Sequence, residues 1–168
     1  AFEHFPRSSM VDHERWMEHA LRGAELAYRR KEVPIGAVIV HKDRIIGKGY
    51  NQVETLKDPT AHAEMIAITA ATAQLGNHRL EHCTLYVTIE PCAMCAGAIV
   101  LARVSRVVFG APDPKAGACG TLFNIVQDKR LNHRVELISG ILEKKCGGIM
   151  NDFFKKVRVN GVGKPEWN

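Results

Sequence analysis

TLYVTIEPCAMCAGAIVLARVSRVVF, residues Thr84 to Phe109, reads as strand, helix and strand in succession. Thr84 to Thr88 is a short apolar run rich in β-branched and aromatic side chains, which suits a buried strand. A helix from Cys92 to about Arg103 follows, and Arg106 to Phe109 reads as a second buried strand. A crossover helix joins parallel strands, and such connections are right-handed. The predicted fold class is therefore a layered α/β domain.

Outward from this unit the alternation continues. Asp12 can cap a helix running to about Arg30, with Trp16, Met17, Ala20, Leu21, Ala24 and Ala27 on its apolar face. Ile35 to Val40 and Ile45 to Tyr50 flank the polar turn His41–Arg44, which predicts a hairpin. Asp58-Pro59 marks the start of a helix that carries Ala61 to about Leu75 and stops at Gly76-Asn77. Downstream, an irregular segment from Gly110 to Arg134 leads into a strand, Val135–Ile138, and a last helix from about Ile141 to Arg158. An irregular segment of that length is more often functional than idle. Gly147-Gly148 should weaken the last helix by about 1 kcal/mol per glycine relative to alanine. No repeat or linker divides the chain, so one domain over 10–158 is expected. Residues 1–9 read as a short extension or cloning remnant, and 159–168 as a C-terminal tail.

The 168 residues are 46% hydrophobic and 24% charged, which excludes a disordered or fibrous chain. A net charge of +5 permits a polyanionic partner and demands none. No apolar run approaches the roughly 18 residues of a membrane helix, so no membrane partner is expected. Ala1 to Ser9 lack the charged and apolar regions of a signal peptide. Five cysteines, with Cys92 and Cys95 only three apart, suit a reducing cytoplasm, where clustered Cys and His point to metal or catalysis.

Two fragments carry the chemistry, His62-Ala63-Glu64 and Pro91-Cys92-Ala93-Met94-Cys95. One imidazole and two thiolates suit Zn²⁺ and leave a fourth tetrahedral position for water. Both fragments fall at predicted helix N-termini, where unpaired N–H groups and the helix dipole favour thiolates. In mid-helix His62 and Glu64 would point nearly opposite ways, but in a first turn both can bend toward one point. Glu64 need not ligate, because a carboxylate beside a metal-bound water suits proton transfer. A C-x-x-C alone could be a redox pair, and a structural zinc could recruit Cys83, His82 or Cys119 as a fourth ligand. The combined pattern H-x-E…P-C-x-x-C is far more specific than either half.

Asp58-Pro59-Thr60-Ala61-His62-Ala63-Glu64, Glu90-Pro91-Cys92-Ala93-Met94-Cys95-Ala96-Gly97 and Val107-Val108-Phe109-Gly110 resemble the cytidine-deaminase-like superfamily of zinc deaminases. The similarity runs from about Met10 to Arg158 and is strongest to the bacterial branch that deaminates tRNA. This resemblance implies a three-layer α/β/α sandwich with a five-stranded mixed sheet, one zinc per subunit, no nucleotide cofactor and a homodimer. It also implies hydrolysis of the wobble adenosine of a tRNA anticodon stem-loop to inosine. By resemblance His62, Cys92 and Cys95 are the zinc ligands, Glu64 the proton shuttle and Asn51 the reader of the target base. The backbone N–H groups of Ala63 and Cys92 would help hold that base. Asp113 and Lys115 match a D-x-K-x-G loop facing RNA, and Asn132 lies in a matching Asn-His-Arg tripeptide. Phe153, Phe154 and Arg158 match a helix lining the anticodon pocket, where one Phe can pack inward while the other stacks on a base. Two other readings stay open: a zinc deaminase of free guanine, cytosine or cytidine, and a non-catalytic RNA-binding subunit.

Overall fold

Helix α1, Met10–Arg29, carries the apolar stripe read from the sequence: Trp16, Met17, Ala20, Leu21, Ala24 and Ala27 are all buried. The structure, a computed structural model, describes residues 10–159, so the expected 1–9 extension and all but the first residue of the expected tail lie outside the described residues. After α1 come the hairpin strands β1 (Gly36–His41) and β2 (Arg44–Tyr50), a single turn α2 (Val53–Leu56) and α3 (Ala63–Leu75). Then follow β3 (Thr84–Ile89), α4 (Ala93–Leu101), β4 (Arg106–Ala111), a 3-10 turn (Ile125–Gln127), β5 (Glu136–Ile138) and α5 (Glu143–Val159).

The five strands form one mixed sheet in the order β2-β1-β3-β4-β5. β1 runs antiparallel to both β2 and β3, whereas β3, β4 and β5 are parallel. In register, Leu85 faces Val107 and Tyr86 faces Val108, as the strand–helix–strand reading requires. Successive side chains enter opposite layers because the strand period is two. Ala37, Ile39, Leu85, Val87, Val107 and Phe109 pack with Ala63, Ala67, Ala71, Ala96 and Ile99 of α3 and α4. Val38, Val40, Tyr86 and Val108 pack with Trp16, Met17, Ala20 and Leu21 of α1 and Cys146 of α5. The result is an α/β/α sandwich. No helix among the described residues is long and apolar enough to cross a membrane.

Two helix boundaries and one added turn differ from the sequence reading, besides α1, which starts at Met10 and holds Asp12 in its first turn and not as its cap. The α3 helix starts at Ala63, not near Pro59, because Asp58 spends its carboxylate locally on the Thr60 amide (2.8 Å) and hydroxyl (2.7 Å). That Asx turn competes with helix capping and makes His62 the N-cap residue instead. Helix α4 ends at Leu101, and Arg103 beyond it has a left-handed φ of 59°. The α2 turn has no local sequence signal. Its first amides, Glu54 (2.9 Å) and Thr55 (3.0 Å), donate to the buried carboxylate of Glu32, far back in the chain.

Candidate metal centre and substrate cavity

His62 and Cys92 are the N-cap residues of α3 and α4, both in extended conformation, and Cys95 lies in the first turn of α4. These positions point their side chains past the open helix ends toward one another. The His62 Nδ1 lies 3.5 Å from the Cys92 Sγ and 3.6 Å from the Cys95 Sγ. All three ligand atoms fall within 4.8 Å of one another. A tetrahedral ion with metal–sulfur bonds of about 2.3 Å and a metal–nitrogen bond of about 2.0 Å needs sulfur–nitrogen edges of about 3.5 Å. The donor set thus fits a small tetrahedral cation without rearrangement, and its soft thiolates favour zinc-like metals over magnesium or calcium.

The electrostatics agree with that assignment. A hydrogen bond from the Cys95 thiol, together with His62, draws the Cys92 thiol down to about 4. The Cys95 thiol is pushed up, first by its hydrogen bond to Cys92 and then by burial. His62 is raised, chiefly by its hydrogen bond with Cys92. Cys83 and His82 sit at the opposite end of β3 from Cys92, and Cys119 falls outside the ligand cluster. Among the described residues, the alternative of a structural metal therefore lacks its fourth protein ligand. A redox role for the C-x-x-C pair would leave the converging imidazole without a purpose.

Glu64, in the first turn of α3, is buried beside this cluster, and desolvation pushes its carboxyl above the usual range. Asn51, just past the end of β2, is also buried, and its Oδ1 has no hydrogen-bond partner among the described residues. An orphaned amide oxygen costs stability unless a ligand uses it. What brings Asn51 close to α3 is a seam of small residues: Gly47 and Gly49 of β2 pack on Ala63, Ala67 and Ala71. A Cβ at Gly49 would stand only 2.1 Å from the Ala63 carbonyl oxygen, so only glycine allows this approach.

At the carboxyl ends of β3 and β4, a cavity of about 460 Å³ opens between the loop after β4 and helix α5; His62, Glu64, Cys92, Cys95 and Asn51 do not line it. Open α/β sheets place ligands at this edge. Asp113 and Lys115 line one wall, Phe154 and Arg158 the other. Asp113 shapes its own turn, its carboxylate accepting from the amides of Lys115 (2.9 Å) and Ala116 (3.2 Å). The two phenylalanines take different places. Phe153 is buried edge-on against Tyr28 of α1, with ring centres 5.7 Å apart, while Phe154 faces the cavity. Tyr28 also donates a hydrogen bond to Asp152, which ties α5 to α1.

Asn132 is not brought to this edge within one chain. It accepts from Arg103 Nη1 (2.8 Å) beyond the far end of α4, and neighbouring His133 docks on the Val104 carbonyl (2.7 Å). Sequence reasoning also passed over Glu90. This buried carboxylate precedes Pro91-Cys92 and gathers donors from Asp113, Cys119 and Thr121. Its one sequence signal is a charged side chain at the end of an otherwise apolar strand.

The profile of the MafB19-like deaminase family matches residues 11–158. A tRNA-specific adenosine deaminase of Bacillus subtilis (strain 168) is 51% identical over 149 residues, covering 89% of this chain and 92% of the relative. One from Aquifex aeolicus (strain VF5) is 48% identical over 147 residues, covering 88% of this chain and 97% of the relative. Among solved structures, one from a study of A-to-I editing by tRNA:A34 deaminases at the wobble position of transfer RNA superposes with a TM-score of 0.78. It shares 43% identity and covers 80% of this chain and 98% of its own.

Proposed function

The chain belongs to the MafB19-like deaminase family and is a deaminase of the tRNA-specific adenosine kind, and we propose that it converts the wobble adenosine of an anticodon loop to inosine with the residues gathered at the carboxyl edge of β3 and β4. The observation that carries the reading is the convergence of His62, Cys92 and Cys95 at two helix N-termini with the buried carboxylate of Glu64 beside them.

His62, Cys92 and Cys95 would hold one zinc ion per subunit. When bound, zinc supplies Lewis acidity that makes a water nucleophilic near neutral pH. Glu64 takes a proton from the attacking water and delivers it to N1 as the oxygen bonds to C6 of adenine, and it then carries the remaining hydroxyl proton to the exocyclic nitrogen. The C6–N bond then breaks, ammonia leaves and the carbonyl of inosine remains. Asn51 offers an acceptor oxygen and an amide donor to the purine edge, a pairing no carboxylate could make. The N–H of Ala63, at the first position of α3, is one of the helix's N-terminal donors and would serve the same base.

A stacked base cannot reach this site, so the adenosine must be flipped out at a cost of a few kcal/mol. The cavity between the Asp113–Gly117 turn and α5 suits the neighbouring nucleotides. The exposed Lys115 and Arg158 meet phosphate, and Phe154 stacks on a splayed base. Phe153, buried behind it, serves by packing. A homodimer completes the surface. Leu101, 81% exposed at the end of α4, and Leu131 on the segment anchored there by Asn132 give the partner an apolar patch. On this reading Asn132 belongs to the assembled surface and not to the pocket of its own chain. Five unpaired cysteines suit a reducing, cytoplasmic compartment.

The test is to offer the protein an anticodon stem-loop with a wobble adenosine and, separately, free adenosine, guanine and cytidine, and to measure ammonia and inosine. Inosine in the stem-loop is expected. Deamination of a free base with no action on the stem-loop would replace this reading with that of a free-base deaminase.

A further inference from the structure

Glu90 is 3% exposed, and among the described residues no cation pairs with it. Its charge is met by four neutral donors, all from one loop. The Asp113 amide donates to Oε1 (3.2 Å), the amides of Cys119 (3.0 Å) and Thr121 (3.1 Å) donate to Oε2, and the Thr121 hydroxyl donates to Oε1. Burying a carboxylate is costly unless every lone-pair direction is used, and here both oxygens are used twice. Main-chain bonds flank the cluster: the Glu90 amide donates to the Ala111 carbonyl (2.9 Å), and the Ala118 amide to the Pro91 carbonyl (2.9 Å). The loop closes over the carboxylate so tightly that a Cβ on Gly117 would lie 2.5 Å from it.

The position of this cluster matters more than its strength. Glu90 stands two residues before Cys92, at the end of β3, and the loop it holds carries Lys115 on the wall of the cavity facing α5. The sheet reaches only to Ala111, and downstream the Val126 carbonyl accepts from the Val135 amide (2.9 Å). From Pro112 to Asn124 the loop contains only one isolated bridge, Cys119 with Asn124, so its course rests on such bonds.

We propose that Glu90 is a positioning residue that fixes the Asp113–Thr121 loop, and with it Lys115, relative to the metal-ligating start of α4. It touches neither the reacting base nor the metal ligands' sulfur atoms; it sets where the RNA-facing wall stands. The functional part of this assignment rests on the cavity receiving RNA, whereas the structural part does not.

Glutamine tests it well, because one oxygen becomes an amide group that cannot accept. In Glu90→Gln, KM for the stem-loop should rise about 10-fold while kcat changes less than about 2-fold, since substrate positioning and not the chemical step is disturbed. Zinc should remain at one per chain. Amide hydrogen exchange at Asp113, Cys119 and Thr121 should accelerate about 10-fold or more, with Val107 and Val108 in β4 unchanged. Thr121→Val removes only the hydroxyl donor and should raise KM about 3-fold, with a smaller rise in exchange at the same amides. Unchanged KM and unchanged loop exchange in both variants would overturn the proposal, as would a fall in kcat at constant KM or loss of zinc. If Glu90→Gln does not fold, Thr121→Val decides by the same measures. Wild-type protein inactive on the stem-loop would count against the function, and loop exchange would still decide the positioning.

Discussion

The candidate metal centre draws its three donors from two short segments, each ending a loop at the N-terminus of a helix. The cavity between the loop after β4 and α5 is built from parts far apart in sequence, the turn at Asp113–Gly117 and the last turns of α5. In the first region local backbone chemistry does most of the work: an N-cap residue in extended conformation points its side chain across the helix end. In the second, distant groups hold the walls, Glu90 on the loop and Tyr28 on α5. Reaction chemistry is therefore compressed into motifs, whereas the substrate-facing surface is spread over the fold.

The largest effect that would sharpen this contrast lies at Glu64. Glu64→Gln should lower kcat by about 1,000-fold, the scale of a lost general acid–base, while zinc content measured by mass spectrometry stays at one per chain. His62→Ala should instead lose the metal. Turnover within about tenfold of wild type in Glu64→Gln would break the division between chemistry and positioning.

The two phenylalanines come next, because they stand next to each other and should fail differently. Phe153→Ala removes a buried ring packed against Tyr28 and should cost about 3 kcal/mol of stability in chemical denaturation. Phe154→Ala should leave stability within about 1 kcal/mol yet weaken stem-loop binding about 10-fold, through lost stacking. Equal effects on both measurements would show that α5 is not divided into a packed face and an RNA face.

The smallest expected change is at Gly148, exposed within α5 with open space where a Cβ would stand. Gly148→Ala should raise stability by about 0.5–1 kcal/mol and leave RNA affinity unaltered. Weaker RNA binding in this variant would place Gly148 in the cavity's function.

Much of the fold was legible because its strands and helices carry strong periodicity. The stripe of α1 and the buried runs of β3 and β4 appear where their hydrophobic patterns place them. The convergence of the candidate donors was legible because residue type and helix end coincide at His62, Cys92 and Cys95. Other features escaped for definite reasons. Asp58 is a good helix cap by type, but the nearby Thr60 offers it two donors and ends the competition locally. The α2 turn depends on Glu32, more than twenty residues upstream, so no window around Val53–Leu56 could reveal it. Asn132 carries the right chemistry for RNA, yet its bond to Arg103 holds it beyond the far end of α4.

The sequence alone determined the layered α/β class, the parallel crossover around α4 and the set of candidate metal donors. Each of these follows from periodicity, turn chemistry or ligand type within a few residues. Only the tertiary structure decided that Gly47 and Gly49 bring Asn51 against α3, that Phe153 turns inward and Phe154 outward, and that Glu90 holds the loop bearing Lys115. Those outcomes depend on which distant groups meet across the sheet edge. Close approach, burial and shared hydrogen bonds are properties of pairs, and the stretch Thr84–Phe109 contains only Glu90 among these residues.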